Sequence, residues 1–185
     1  MRTTKCFYRS FVVTGVSMVA VIGACGCSDN PSHKQGQELA EIKNLGGTVK
    51  IDEESPDESV IEVHLRDSKV TDSTLVHVKG LLQLTYLDLR NTQITGAGLV
   101  HLKGLTNLQT LKLYDTSVTD AGLVHLARLN TLEKLSLGNT NVTDAGLVYL
   151  MGLTNLSRLY LTNTQVTDTG VNNLKRALPK CYIVH

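Results

Sequence analysis

Residues 108–123 read LQTLKLYDTSVTDAGL, and the same frame returns as LTYLDLRNTQITGAGL at 84–99, LEKLSLGNTNVTDAGL at 132–147 and LSRLYLTNTQVTDTGV at 156–171. The copies stand 24 residues apart without slippage, so equivalent positions can be compared column by column. In an extended segment, Leu111 and Leu113 point to one side while Thr110, Lys112 and Tyr114 point to the other. Thr116 follows where the chain leaves the strand, and its hydroxyl can satisfy backbone groups in the turn. Val118 returns inward, Thr119-Asp120 offers helix-cap chemistry, and Leu123 and Leu126 fall i, i+3 on one helical face. Burying one such leucine contributes ~1.5–3 kcal/mol, but only when a neighbouring copy covers it.

A fixed period in this range with LxxLxL spacing is the signature of a leucine-rich repeat. The expected fold is α/β: a right-handed leucine-rich repeat solenoid with parallel strands on the concave face and short helices on the convex face. The frame LxxLxLxxTxVTDAGL resembles the leucine-rich repeats of surface-living bacteria with large genomes. It is also similar to the cysteine-containing repeats of F-box proteins, which carry Cys where this chain has Thr92, Thr116, Thr140 and Thr164. No F-box-like segment is read ahead of the repeats, so the resemblance implies no ubiquitin-ligase role.

The expected domain spans 38–185. Residues 38–69 read as an N-terminal capping repeat, with a helix over Glu38–Leu45 stopped by Gly46-Gly47 and strands over Thr48–Ile51 and Val60–Leu65. Residues 70–165 hold four full repeats. Residues 166–185 form a C-terminal cap whose helix ends at Pro179 and whose last strand turns Cys181 and Ile183 inward and Tyr182 outward. In the copy starting at Ile94, Gly96 stands where the others carry Asp, so Thr95 is expected to cap its helix alone.

Ahead of this domain, Arg2, Lys5 and Arg9 precede the apolar run Phe11–Ala24, which is short and rich in Gly, Ser and Thr for a membrane span of ~20 residues. It reads as an export signal over 1–24. Its end, Ile22-Gly23-Ala24-Cys25, resembles the lipobox of bacterial lipoproteins. The resemblance implies cleavage before Cys25, diacylglyceryl attachment to its thiol and a membrane anchor outside the cytoplasm. Several acyl chains at ~0.8 kcal/mol per buried methylene anchor stably where one does not. Cys27 is the alternative lipidation residue, with Cys25 and Gly26 then ahead of the cut. Residues 25–37, polar with Pro and Gly, read as a flexible linker.

Removing Arg2, Lys5 and Arg9 from the 18 lysines and arginines leaves 15 against 17 acidic residues. That balance gives no electrostatic footprint for nucleic acid. The outward strand lane differs from the whole. It carries Glu62 and Asp88 against Arg66, Arg90, Lys112, Lys134 and Arg158, together with Tyr86, Tyr114, Tyr160 and Tyr182. Tyrosine with arginine is the composition of interface anchors. The candidate partner-binding residues are therefore Arg66, Tyr86, Asp88, Arg90, Lys112, Tyr114, Lys134, Arg158, Tyr160 and Tyr182. The expected partner is a protein, with acidic groups favoured, or a polyanionic glycan. The alternative is a solvated face whose Lys and Arg discourage aggregation, and a structural, envelope-organising protein without a specific ligand.

No GxSxG, HExxH or phosphate-cradling glycine loop occurs, so no enzymatic activity is expected. No CxxC or Cys/His zinc spacing occurs either, and no cofactor is expected. His77, His101 and His125 share one column, a ladder read as a solvated helix face. The acidic loop Asp52–Glu58 lacks the order of a calcium loop.

Overall fold

The structure, a computed structural model, describes residues 31–55 and 59–185. The export signal, Cys25 and Cys27 lie outside the described residues. The first helix, α1 (Pro31–Asn44), begins inside the stretch expected to be a linker, so residues 31–37 are helical. Pro31 suits that position because its fixed φ is preset for a first helical turn. Gly46 ends the helix at φ 80°, with Gly46 N–H donating to Lys43 O and Gly47 N–H to Ile42 O, both at 3.0 Å. That is the paired closure that left-handed glycine makes at a helix end. Among the described residues, no helix is long and apolar enough to cross a membrane.

Seven strands form one sheet in chain order: β1 (Thr48–Ile51), β2 (Val60–His64), β3 (Tyr86–Asp88), β4 (Thr110–Lys112), β5 (Lys134–Ser136), β6 (Arg158–Tyr160) and β7 (Tyr182–Val184). β1 runs antiparallel to β2 and covers its otherwise open edge. From β2 onward every pair is parallel, and the register from β3 onward steps by one repeat, Leu87↔Leu111↔Leu135↔Leu159↔Ile183. The returns on the other face are short: 3₁₀ turns at Asp72–His77 and Gly98–Leu102, then α2 (Asp120–Leu123), α3 (Asp144–Leu147) running into a 3₁₀ turn at Val148–Leu150, and α4 (Asp168–Ala177). The leucine columns form one continuous buried core along the solenoid. The fold is the α/β leucine-rich repeat solenoid that the period predicts.

Three polar columns shape the solenoid, the first within each copy and the other two between copies. Thr92, Thr116 and Thr140 are buried, and their hydroxyls donate to Leu89 O, Leu113 O and Leu137 O at 2.6, 2.8 and 2.5 Å. This is the turn role expected of them. The residue before each of these threonines, and the equivalents Asp67 and Asn163, adopts the left-handed conformation, with φ between 54° and 56° at Asp67, Asn91, Asp115, Asn139 and Asn163. Asn and Asp tolerate that region best among residues with side chains. Asn91 Nδ2 donates to Asp67 Oδ1 at 2.6 Å, and Asn139 repeats the contact with Asp115.

The third column extends the capping expectation: Thr143 and Thr167 cap their helices, accepting from Ala145 and Gly170 N–H, while the aspartates beside the threonines act across copies. Asp72 accepts from Thr95 N–H at 2.8 Å and from Thr95 Oγ1 at 2.5 Å; Asp120 does the same to Thr143, and Asp144 to Thr167. Each aspartate therefore reaches forward into the next copy. Hydrogen bonds from the Thr167 hydroxyl and then its backbone N–H hold the Asp144 carboxyl below its ordinary pKa. Thr95, expected to cap alone, is held by Asp72 and accepts from Ala97 N–H at 3.2 Å. The missing carboxylate at Gly96 is felt one repeat later: Thr119 makes no side-chain cap hydrogen bond.

Candidate binding face

Strand register places the outward side chains in two lanes. One runs Glu62, Tyr86, Thr110, Lys134, Arg158, Tyr182, and the other His64, Asp88, Lys112, Ser136, Tyr160, Val184. Backbone hydrogen bonds just beyond the strands extend the ladder through Arg90, Tyr114, Gly138 and Thr162. Neighbours within a lane sit about one strand spacing apart, ~4.8 Å.

The N-terminal half of this face neutralises itself. Lys50 Nζ meets Glu62 Oε1 at 2.9 Å, and His64 Nε2 lies 3.5 Å from Glu62 Oε2. The hydrogen bond from Lys50 pulls the Glu62 carboxyl down despite partial burial. Arg66 pairs with its neighbour Asp67 at 2.8 Å. Arg90 grips Asp88 bidentately, Nε to Oδ1 at 2.8 Å and Nη2 to Oδ2 at 2.5 Å, while Tyr86 OH donates to Asp88 Oδ2 at 3.3 Å. Burial pushes the Asp88 carboxyl up, but the Arg90 side chain and N–H, with Lys112 nearby, outweigh it and leave the carboxyl below its usual range. Lys112 Nζ sits 5.0 Å from the centroid of the Tyr86 ring, whose other neighbour is the His64 ring at 4.8 Å.

These contacts revise the candidate set. Asp88 alternates outward along its strand, yet it is only 1% exposed, covered by the residues that satisfy it. It is thus a buried anion, not a contact residue, and Arg90 is its counter-ion. Lys112 is half-buried and engaged. The expected surplus of positive charge is therefore spent internally over β2 to β4.

The C-terminal half is different. Lys134 and Arg158 are exposed and directly paired in register, and among the described residues neither side chain makes an ion pair or hydrogen bond. Tyr114, Tyr160 and Tyr182 are 38%, 38% and 67% exposed. Between them lies Gly138, where an added Cβ would stand 2.9 Å from both Tyr114 Cδ2 and Thr162 Oγ1. The bare glycine lets the Tyr114 ring lie across the sheet. Of the ten candidates, the structure thus brings Tyr114, Lys134, Arg158, Tyr160 and Tyr182 together as an open patch and withdraws Tyr86, Asp88, Arg90 and Lys112 into a network.

Among the described residues, two further grooves stand out. One of about 500 Å³ follows the strand N-termini and is lined by Gln83, Thr85, Asn107, Gln109 and Thr131 among others. Its amides and hydroxyls are largely used in joining repeats, as in Asn107 Nδ2 to Leu82 O at 3.0 Å and Thr131 Oγ1 to Thr106 O at 2.6 Å. The other, about 700 Å³, lies between α1 and the first 3₁₀ turn. Within the histidine column, burial and then Lys103 lower the His125 pKa, and its Nδ1 has no hydrogen-bond partner. Among the described residues, no three His, Cys, Asp or Glu side chains gather as a metal site. Cys181 is buried, and that burial raises its thiol pKa, as for a core residue.

A family model described as leucine-rich repeat matches residues 83–102 and 128–151. No curated protein matches the chain in sequence. Among solved structures, the chain is similar to a leucine-rich repeat protein of Leptospira interrogans, with 25% identity and a TM-score of 0.50 over 68% of this chain and 37% of that one. The chain therefore spans little more than a third of that relative's length. It is also similar in fold to the leucine-rich repeat ectodomain of the receptor kinase SOBIR1 from Arabidopsis thaliana, with 15% identity and a TM-score of 0.51 over 82% of this chain and 91% of that one.

Proposed function

From the premise of a leucine-rich repeat protein, we propose that this chain is a non-enzymatic binding module that engages a protein partner on the C-terminal half of its concave sheet. The observation that carries the reading is the contrast within one face. β2 to β4 satisfy their own charges, while β5 to β7 present two exposed tyrosines and two unpaired cations, with the exposed Tyr114 beside them just past β4. Leucine-rich repeat domains generally serve protein–protein interaction, and their concave faces are extended binding surfaces. Tyrosine supplies large contact area at low entropic cost, which suits an interface anchor. The fold alone does not choose a partner.

The same proposal places the module outside the cytoplasm, tethered through a lipid on Cys25. The basic start, the apolar run and the Ile22-Gly23-Ala24-Cys25 ending support that placement. One set of cells tests both parts. A photo-crosslinking side chain at position 160 or 182 is expected to capture discrete partner bands that the same group at Val124, on the convex face, does not. Equal capture at both faces removes the concave reading. Labelled palmitate is expected in the parent chain and absent from Cys25→Ala; label persisting in Cys25→Ala removes the anchor.

A further inference from the structure

We propose that the Lys134–Arg158 rung is a receptor for a single acidic side chain, an aspartate or glutamate of the protein partner, with apolar partner residues against Tyr160 and Tyr182. The inference rests on the concave-face reading and gives it a ligand chemistry. Like charges directly opposite on neighbouring strands destabilise a sheet. Elsewhere on this face the chain avoids that cost by giving each cation a counterpart: Glu62 for Lys50, Asp67 for Arg66, Asp88 for Arg90 and the Tyr86 ring for Lys112. At β5 and β6 it sets two cations side by side with none. Glu133, the acid next to Lys134 in the chain, forms no ion pair with either.

The spacing suits one carboxylate. Side chains from adjacent strands, ~4.8 Å apart, converge readily on a shared anion, with the guanidinium gripping two oxygens and the ammonium acting as a point charge. Two free cations are too few for a long polyanion, because the rest of the face is already neutralised. A sulfated or phosphorylated polymer would need a continued basic track. The exposed Tyr160 and Tyr182 rings flank the rung in the same two lanes and suit the apolar side chains that border an acidic residue in a peptide.

The test titrates the full chain in neutral detergent with acetyl-Leu-Glu-Phe-amide and with its Leu-Gln-Phe counterpart. The glutamate peptide is expected to shift the Arg158 Nε–H and the Tyr160 and Tyr182 ring signals saturably, with about tenfold weaker response to the glutamine peptide. Lys134→Gln and Arg158→Gln are each expected to abolish that discrimination. Their Tm is expected to hold or rise by about 1–2 °C, since a like-charge contact is removed. A fall in Tm for both variants assigns the rung a structural role and overturns the proposal. So does equal response to the two peptides, or displacement of the glutamate peptide by a heparin fragment at lower concentration. Partner crosslinking from position 160 that persists in Arg158→Gln overturns the acid receptor while leaving the concave-face reading intact.

Discussion

Arg90→Ala is expected to destabilise the solenoid by about 2–3 kcal/mol, although Arg90 lies on the face that sequence assigns to binding. The cost arises at Asp88, a carboxylate 1% exposed whose two oxygens are both held by the Arg90 guanidinium. Without that guanidinium the anion keeps the Tyr86 hydroxyl and the backbone N–H of residue 90, each at 3.3 Å, and Lys112 nearby. The Arg90 side chain is 32% exposed, so water enters the vacated space and holds the loss below the ~3–5 kcal/mol of a fully enclosed pair. Arg90→Lys recovers only part of the stability, because an ammonium cannot match the bidentate geometry. Asp88→Asn with Arg90→Ala is expected to be more stable than Arg90→Ala alone.

The pH dependence separates this account from simple loss of packing. In the parent chain the folded Asp88 carboxyl lies below its unfolded value of ~3.9, so its contribution is complete above that value and fades as pH falls through the folded pKa. In Arg90→Ala the burial that pushes the carboxyl up is opposed only by the residue 90 N–H and Lys112, without the guanidinium, so that variant gains relative stability on protonation. The gap in urea midpoint between the two proteins is expected to narrow from pH 7 towards pH 4. A gap constant across that range would remove the buried-anion explanation.

What sequence could and could not reveal divides by the distance over which a side chain acts. The leucine columns were legible because burial follows from alternation within one repeat, and Leu111 and Leu135 sit where alternation puts them. Thr116 and Thr140 were legible because their hydroxyls act on a carbonyl three residues away. Asp88 was misjudged because alternation describes which side of a strand a residue faces and not what then covers it. The signal existed in Arg90 two residues on, on the same face of the strand. Lys50 and Glu62 needed the β1–β2 register, which no repeat dictates. Asp120 was legible only as a local cap, since its partner Thr143 lies in the next copy. The open patch of Lys134, Arg158 and Tyr160 was within the predicted lane, but its separation from the N-terminal half depended on these unseen pairings.

The glycine of each DAGL frame carries the second large effect, and Gly122→Ala is expected to cost about 3 kcal/mol, the upper range for overpacking a core. Gly98, Gly146 and Gly170 each face the aspartate of the preceding copy, and a Cβ at Gly146 would stand 2.3 Å from Asp120 Oδ1. At Gly122 the preceding copy has Gly96 in that place, and the backbones close in until an added Cβ would lie 2.5 Å from Gly96 Cα. A carboxylate can swing aside at the loss of its bonds to Thr143, whereas a backbone cannot move without shifting the whole repeat. The same crowding explains why this seam does without the aspartate that holds Thr95, Thr143 and Thr167. The expected order of destabilisation is therefore Gly122→Ala, then Gly146→Ala, then Gly104→Ala, where nothing lies within 4 Å of the added methyl. Gly104→Ala is expected to be neutral or slightly stabilising through the unfolded chain. Because each repeat contacts only its neighbours, amide exchange in Gly122→Ala is expected to accelerate first in residues 94–126 and to leave β6 and β7 protected longest. Equal urea midpoints for Gly122→Ala and Gly104→Ala would show that the two copies are not in backbone contact at this seam.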